Sequence, residues 1–207
     1  MLITSRRSLL FLAALTAAAA SGLTACTSAP AARATTLPFL LSPYKDVTIA
    51  FDPASKLLST DLRGARRPVT DVLRRGQTLT WAFANGECGA ETLGGLDAQA
   101  VASANVPAFV RAGVDYVIST GGEAGVFTCG SDAGMAAFIA RYDSPRLVGI
   151  DFDIEGKQTP ETIDALVQRA VAVQRVRPAL RFSFTLATLA ASDGSRANRR
   201  SPPASRA

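Results

Sequence analysis

The 207-residue sequence contains no histidine, and this absence excludes several kinds of active site. Ser-His-Asp triads and Cys-His pairs require an imidazole as the general base. Histidine-ligated zinc centres require the same side chain. We therefore exclude histidine-based catalysis and histidine-ligated metal sites. As a separate expectation, the site uses no metal and no cofactor.

A strongly basic body is also lacking, although the net charge is +5. Six arginines lie near the two ends of the chain: Arg6, Arg7, Arg196, Arg199, Arg200 and Arg206. Removing these six from the 22 basic residues leaves 16, against 17 acidic ones. A nucleic-acid-binding protein carries its cations on a folded face. We therefore expect no nucleic-acid partner.

The first 25 residues are typical of an export signal. A positive start, MLITSRR, precedes the apolar stretch SLLFLAALTAAAASG, which is too short for a convincing membrane-spanning helix. The following LTAC resembles a bacterial lipobox, in which Cys26 is lipidated. An ordinary signal peptide with a chance cysteine is the alternative. We expect an exported protein, either a membrane-anchored lipoprotein or a periplasmic or extracellular one, with residues 26–43 as a tether.

Two cysteines remain if Cys26 carries lipid. An even pair in an exported chain predicts a disulfide between Cys88 and Cys129. Two buried free thiols are the alternative.

Strand and helix patterns alternate from residue 44 to about 190. Apolar segments bounded by turn residues predict strands at 47–51, 78–83, 116–119, 146–154 and 180–188. Helical periodicity lies between them, with an interruption expected at Pro107, a cap at Ser131 or Asp132, and a last helix capped by Thr159. This alternation predicts an α/β domain with a parallel sheet, either doubly wound or a (β/α)₈ barrel. Residues 191–207 are expected to be a disordered tail.

Three acids alternate in the segment RLVGIDFDIEG: Asp151, Asp153 and Glu155. Side chains two positions apart share one face of a strand, so these acids line up while Ile150 and Phe152 face the other side. Acids are depleted in strands, and like charges in a row repel. The pattern favours a functional acidic site at the C-terminal end of a strand. A metal-binding cluster and a solvated edge strand are the alternatives.

Two motifs carry a resemblance to a known family. GIDFDIE is similar to the DGxDxDxE signature of glycoside hydrolase family 18, the chitinase-type enzymes, although Val148 replaces its first aspartate. STGG, at residues 119–122, resembles the SxGG motif of the same family, one strand–helix unit earlier. The resemblance extends over residues 45–188 and implies a (β/α)₈ TIM-type barrel.

The resemblance also implies a substrate and a mechanism. The substrate would be chitin or chito-oligosaccharides, the β-1,4-linked polymers of N-acetylglucosamine. Glu155 would protonate the glycosidic oxygen, and the substrate's own acetamido carbonyl would attack the anomeric carbon. Asp153 would orient the acetamido group, and Asp151 would lie behind Asp153 and share a proton with it.

Four further residues complete the expected site. Ser119 would hydrogen-bond the buried end of the acid row, and Gly121 and Gly122 would let the backbone pass close to it. Trp81 is either a platform for a sugar ring or a core residue.

Part of the family pattern is missing from the sequence. Only about five strand–helix units are present, and a complete barrel takes about 250 residues. The family's later Tyr-Asp clamp and tryptophan floor have no counterpart, since Trp81 is the only tryptophan. We therefore expect a C-terminally truncated family member whose activity is weak. The alternatives are a non-hydrolytic chitin-binding protein and a carboxylate-metal phosphotransferase on a doubly wound sheet.

Overall fold

A computed structural model describes residues 39–186 of the chain. The predicted signal peptide, the predicted lipidation site Cys26, the first part of the predicted tether and the predicted tail lie outside these residues. Ser42 and Pro43, the end of the predicted tether, both hydrogen-bond to Thr80 in the domain. No helix within residues 39–186 has the length and apolar character needed to cross a membrane.

The described residues form ten strands and five helices. The strands are β1 Tyr44–Asp46, β2 Ser59–Leu62, β3 Ala65–Pro68, β4 Thr78–Glu87, β5 Thr92–Leu93, β6 Leu96–Asp97, β7 Asp115–Gly121, β8 Phe127–Thr128, β9 Leu147–Ile154 and β10 Arg181–Leu186. The helices are α1 Val47–Ala50, α2 Val69–Val72, α3 Ala98–Ala112, α4 Asp132–Tyr142 and α5 Pro160–Val176. The chain is therefore an α/β protein, as its alternating pattern predicts.

Five strands form a parallel sheet in chain order, β1-β4-β7-β9-β10. The short strands β5, β6 and β8 extend it at the C-terminal end of β4, and β2 and β3 form a separate hairpin. Along the five parallel strands the order never reverses, whereas a doubly wound sheet reverses at its switch point. All the strands that carry the acid row and its neighbours therefore end at the same edge.

The sheet is strongly curved. Neighbouring strands lie about 4.8 Å apart, so a flat sheet would separate β1 from β10 by about 19 Å. The hydroxyl of Tyr44 in β1 nevertheless lies 2.9 Å from that of Thr185 in β10. Because a tyrosine side chain spans far less than 19 Å, the concave face brings the first and last of these strands together.

The helices cover the convex face of the sheet, where the core lies. Phe152 stacks on Phe127, with ring centroids 6.3 Å apart, and Phe127 contacts Phe138 of α4 at 5.0 Å. Ile150 is fully buried and points to the same side as Phe152. The apolar half of the alternating segment therefore packs under the helices, and the acidic half faces the concave side.

Several predicted boundaries are wrong. Residues 47–50, predicted as strand, form α1, because the Asp46 carboxylate accepts a hydrogen bond from the Thr48 amide and caps a helical turn. β4 continues to Glu87, four residues beyond its predicted end at Phe83.

Helix α3 runs through Pro107 without the expected interruption. Pro107 and Ser103 are both exposed, so water can reach the Ser103 carbonyl that proline leaves without a donor. Ser131 and Thr159 cap α4 and α5, which confirms the predicted starts of these two helices.

Candidate active site

The acid row lies at the C-terminal end of β9, between β7 and β10. Asp151 and Asp153 are buried, with 3% and 4% of their surface exposed, and Glu155 follows the strand and is exposed. Asp151 is in register with Ser119 of β7 and Ser183 of β10. The row therefore runs from the interior of the concave face to its open edge.

Four hydroxyl groups surround Asp151. Tyr44 and Ser119 each donate a hydrogen bond of 2.8 Å to Oδ2. Ser183 donates to Oδ1 at 2.5 Å, and Thr185 donates to the same oxygen at 3.1 Å. Burial raises the pKa of Tyr44 to about 12, so the phenol keeps the proton that it donates. Asp151 is thus a fixed carboxylate whose burial is compensated by four hydroxyl donors from the three strands β1, β7 and β10 on the concave face.

Asp153 has a different environment from Asp151. Its Oδ1 atom is buried and has no hydrogen-bond partner within residues 39–186. Burial raises the pKa of Asp153 to about 6, and the negative charges of Glu155 and Asp151 and a hydrogen bond to Glu155 add to this effect. A carboxyl that is half protonated near pH 6 can both orient a substrate and hold a proton beside Glu155.

The environments of Asp151 and Asp153 bear on the proton sharing that the sequence predicts between them. The hydrogen bonds of Asp151 come from hydroxyl groups, whereas the negative charges of Glu155 and Asp151 both act on Asp153. The predicted proton sharing between Asp151 and Asp153 stays a prediction. Asp151 contributes its charge and its fixed position.

The STGG segment lies against the acid row as the sequence predicts. Ser119 supplies one of the hydroxyls on Asp151. Gly121 has φ +86°, and a Cβ at this position would lie 2.3 Å from the Asp153 carbonyl oxygen. The Gly122 amide donates to that same oxygen at 3.1 Å. Only glycine at position 121 lets the end of β7 approach this closely.

Trp81 is not a sugar platform, which corrects one of its two expected roles. Its side chain is fully buried, and its ring lies 4.6 Å from that of Tyr116 and 4.8 Å from that of Phe109 in α3. The hydroxyl of the preceding residue, Thr80, hydrogen-bonds the hydroxyl of Ser42. Trp81 therefore belongs to the core between the sheet and α3.

Sequence reasoning missed four residues of the site: Tyr44, Phe83, Ser183 and Thr185. Tyr44 is 45% exposed, and its ring centroid lies 6.0 Å from that of Phe83. Ser183 and Thr185 had a readable signal, because they alternate with phenylalanines in FSFTL and so share the polar face of the strand. Tyr44 and Phe83 had none, since their positions depend on the curvature of the sheet.

Cys88 and Cys129 form a disulfide in the structure, with their sulfurs 2.03 Å apart. The bond joins the loop after β4 to the segment after β8. Both sulfurs lie near the carboxylate of Glu87, but a disulfide leaves them unable to ligate a metal as thiolates.

Comparison of the chain with models of known protein families, with curated proteins and with solved structures gave no match. The assignment of a function therefore depends on the geometry of the acid row and on the motifs of this chain itself.

Proposed function

We propose that the chain carries the catalytic acid row of a retaining, substrate-assisted glycoside hydrolase of the chitinase type. The observation that carries this proposal is the graded environment of the three acids. Asp151 is buried and held by hydroxyls, Asp153 is buried with a pKa of about 6, and Glu155 is exposed at the open edge. A proton donor at the edge and an orienting carboxyl behind it are what cleavage of an acetamido sugar requires.

Each acid has a separate step in the proposed reaction. Glu155 donates a proton to the glycosidic oxygen as the bond to the anomeric carbon breaks. The acetamido carbonyl oxygen attacks the anomeric carbon and forms a cyclic cation, which water then opens with Glu155 acting as the base. Asp153 holds the acetamido N–H and stabilises the cation, and Asp151 fixes the charge behind it.

The topology supports a barrel-type fold for this proposal. Five parallel strands in chain order, curved so that Tyr44 reaches Thr185, are the arrangement of consecutive strands in a (β/α)₈ barrel. The unreversed order makes the doubly wound alternative, and with it the phosphotransferase, less favourable. The acid row then lies at the C-terminal face, where active sites of such barrels are found.

A non-hydrolytic carbohydrate-binding protein is the second candidate. The burial of Trp81, the only tryptophan in the chain, favours it, because no tryptophan is then left to form a floor under the sugar. For the same reason we expect the turnover of this chain to be slow.

Comparison of three oligosaccharide series tests the proposal. The 207-residue protein is incubated with β-1,4-linked oligomers of N-acetylglucosamine, of glucosamine and of glucose. Only the acetylated series should be cleaved, because only it carries the internal nucleophile, and Glu155→Gln should abolish the cleavage. Glu123→Gln, which changes an exposed carboxylate after the neighbouring strand β7, is the matched control.

Three results would count against the enzyme. Equal cleavage of glucose oligomers would refute the substrate-assisted mechanism. Cleavage that survives Glu155→Gln would refute the assignment of the acid. Binding of acetylated oligomers without any Glu155-dependent cleavage would establish the second candidate instead.

A further inference from the structure

The hairpin formed by β2 and β3 is separate from the large sheet and closes with a tight turn. Arg63 and Gly64 form the turn, with φ of +51° and +79°, and Leu62 pairs with Ala65 at its base. Two consecutive positive φ values define a two-residue turn in which asparagine or glycine is usual at the first position. Arg63 occupies this first position and adopts a backbone conformation that costs free energy for a residue with a Cβ.

The two faces of the hairpin have different chemistry. On the inner face Ser59 is buried, and Asp61 forms an ion pair of 3.2 Å with Arg66. Arg66 also donates to the carbonyl oxygens of Ile49 and Ala50, at 2.8 and 3.0 Å. The one acid of the hairpin thus lies on the inner face with a cation beside it.

The outer face is apolar near the turn and basic below it. Strand register places Thr60, Leu62, Ala65 and Arg67 on this face. Leu62 is 42% exposed, and Lys45 donates to the Thr60 hydroxyl at 3.1 Å. We call Leu62, Ala65, Arg67 and Lys45, together with the turn residue Arg63, the outer face.

The arginines of the outer face are available to a partner. The side chains of Arg63 and Arg67 are exposed and make no hydrogen bond or ion pair with any residue between 39 and 186. Among the acids of the flanking segments, Asp46 caps α1, Asp52 accepts from the Ala54 amide and the Ser55 hydroxyl, and Asp71 lies in the first turn of α2. The outer face therefore carries three cations around an exposed leucine, with no acid of the hairpin among them.

We propose that the outer face docks the domain on an anionic phospholipid surface. Arg63, Arg67 and Lys45 would meet lipid phosphates, and Leu62 and Ala65 would enter the boundary between headgroups and acyl chains. A soluble polyanion would satisfy the cations but would gain nothing from the exposed leucine. The membrane accounts for both halves of the face, and the proposal is independent of the glycosidase activity.

Vesicle binding tests this docking surface. The 207-residue protein is titrated with vesicles of phosphatidylcholine alone and of phosphatidylcholine mixed with phosphatidylglycerol. Loss of two surface cations by Arg63→Gln/Arg67→Gln should weaken binding to the anionic vesicles by about 30-fold. Leu62→Ser should weaken it further, and added salt should reduce the difference between wild type and the double variant.

Arg111→Gln/Arg175→Gln is the matched control, because it removes two exposed arginines from α3 and α5. All variants share residues 1–38, so any lipid binding by that segment cancels in the comparison. Emission of the buried Trp81 verifies that each variant is folded.

The expected result is a loss of anionic-vesicle binding in the hairpin variants alone, with the phosphatidylcholine binding of Arg63→Gln/Arg67→Gln unchanged. Equal losses of anionic-vesicle binding in the hairpin and control variants would mean that binding depends only on the total charge, and would overturn the proposal. Unchanged vesicle binding by the hairpin double variant would also overturn the proposal. The same holds if that variant keeps its vesicle binding but loses binding to duplex DNA.

Discussion

The pKa of Asp153 leads to a prediction about the pH dependence of stability. Burial and the neighbouring charges of Glu155 and Asp151 raise this pKa from 3.8 to about 6. At a pH between these two pKa values, Asp153 holds a proton in the folded state that it has released in the unfolded state. The contribution of Asp153 to the free energy of unfolding is therefore fully present below about pH 4 and is lost as the pH rises through 6.

The size of the effect follows from the shift. About two pH units at about 1.4 kcal/mol each give an upper value of about 3 kcal/mol. Water at the open edge, where Glu155 is exposed, screens the charges, so we expect about 1–3 kcal/mol. Asp153→Asn keeps the shape of the protonated acid and removes its titration, so the variant should lack this loss.

Urea unfolding at a series of pH values measures the difference. The emission of Trp81, the only tryptophan and fully buried, reports unfolding directly. The wild type should lose about 1–3 kcal/mol relative to Asp153→Asn between pH 4 and pH 8. Glu155→Gln should shift the loss to lower pH, because it removes one of the charges that disfavour ionised Asp153, and Glu123→Gln should not. Parallel profiles for the wild type and Asp153→Asn would refute the proposed environment of this acid.

Three further predictions concern the support of the site and the N-terminal region. Gly121→Ala should destabilise the protein by at least about 2 kcal/mol more than Gly95→Ala in urea unfolding. Both glycines have positive φ, but only at Gly121 would a Cβ strike backbone, so equal costs would contradict the close approach. Reduction of the Cys88–Cys129 disulfide, which closes a loop over 41 positions, should lower the free energy of unfolding by about 4 kcal/mol. Two titratable thiols in the denatured, unreduced protein would argue against the bond. A palmitate analogue should label the wild type and not Cys26→Ala, and equal labelling of both would remove the predicted lipidation.

The α/β class and the orientation of the acid row could be predicted because they depend on local periodicity. Asp151 and Asp153 alternate with Ile150 and Phe152, so one face had to be acidic wherever the strand lay. The start of α5 was equally readable from Thr159 and the proline that follows it.

Other features depend on competition or on long-range geometry. The β-branched residues after Asp46 favour a strand, but the capping bond from that carboxylate stabilises a helical turn instead. The role of Trp81 depends on which face of β4 it occupies, and TWAF is apolar enough to fit either. The contacts of Tyr44 with Asp151 and Thr185 join residues more than 100 positions apart and arise from the curvature of the whole sheet.

The central claim is that Glu155 is the proton donor, and the dependence of the rate on the leaving group tests it most directly. Glycosides of N,N′-diacetylchitobiose are prepared with a sugar as the leaving group and with dinitrophenol, whose departure needs no protonation. Glu155→Gln should lower the rate on the sugar by about 10²–10⁴-fold and the rate on dinitrophenol far less, whereas Asp153→Asn should slow both. Equal losses on both substrates in Glu155→Gln, or no Glu155-dependent release from either, would contradict the assignment.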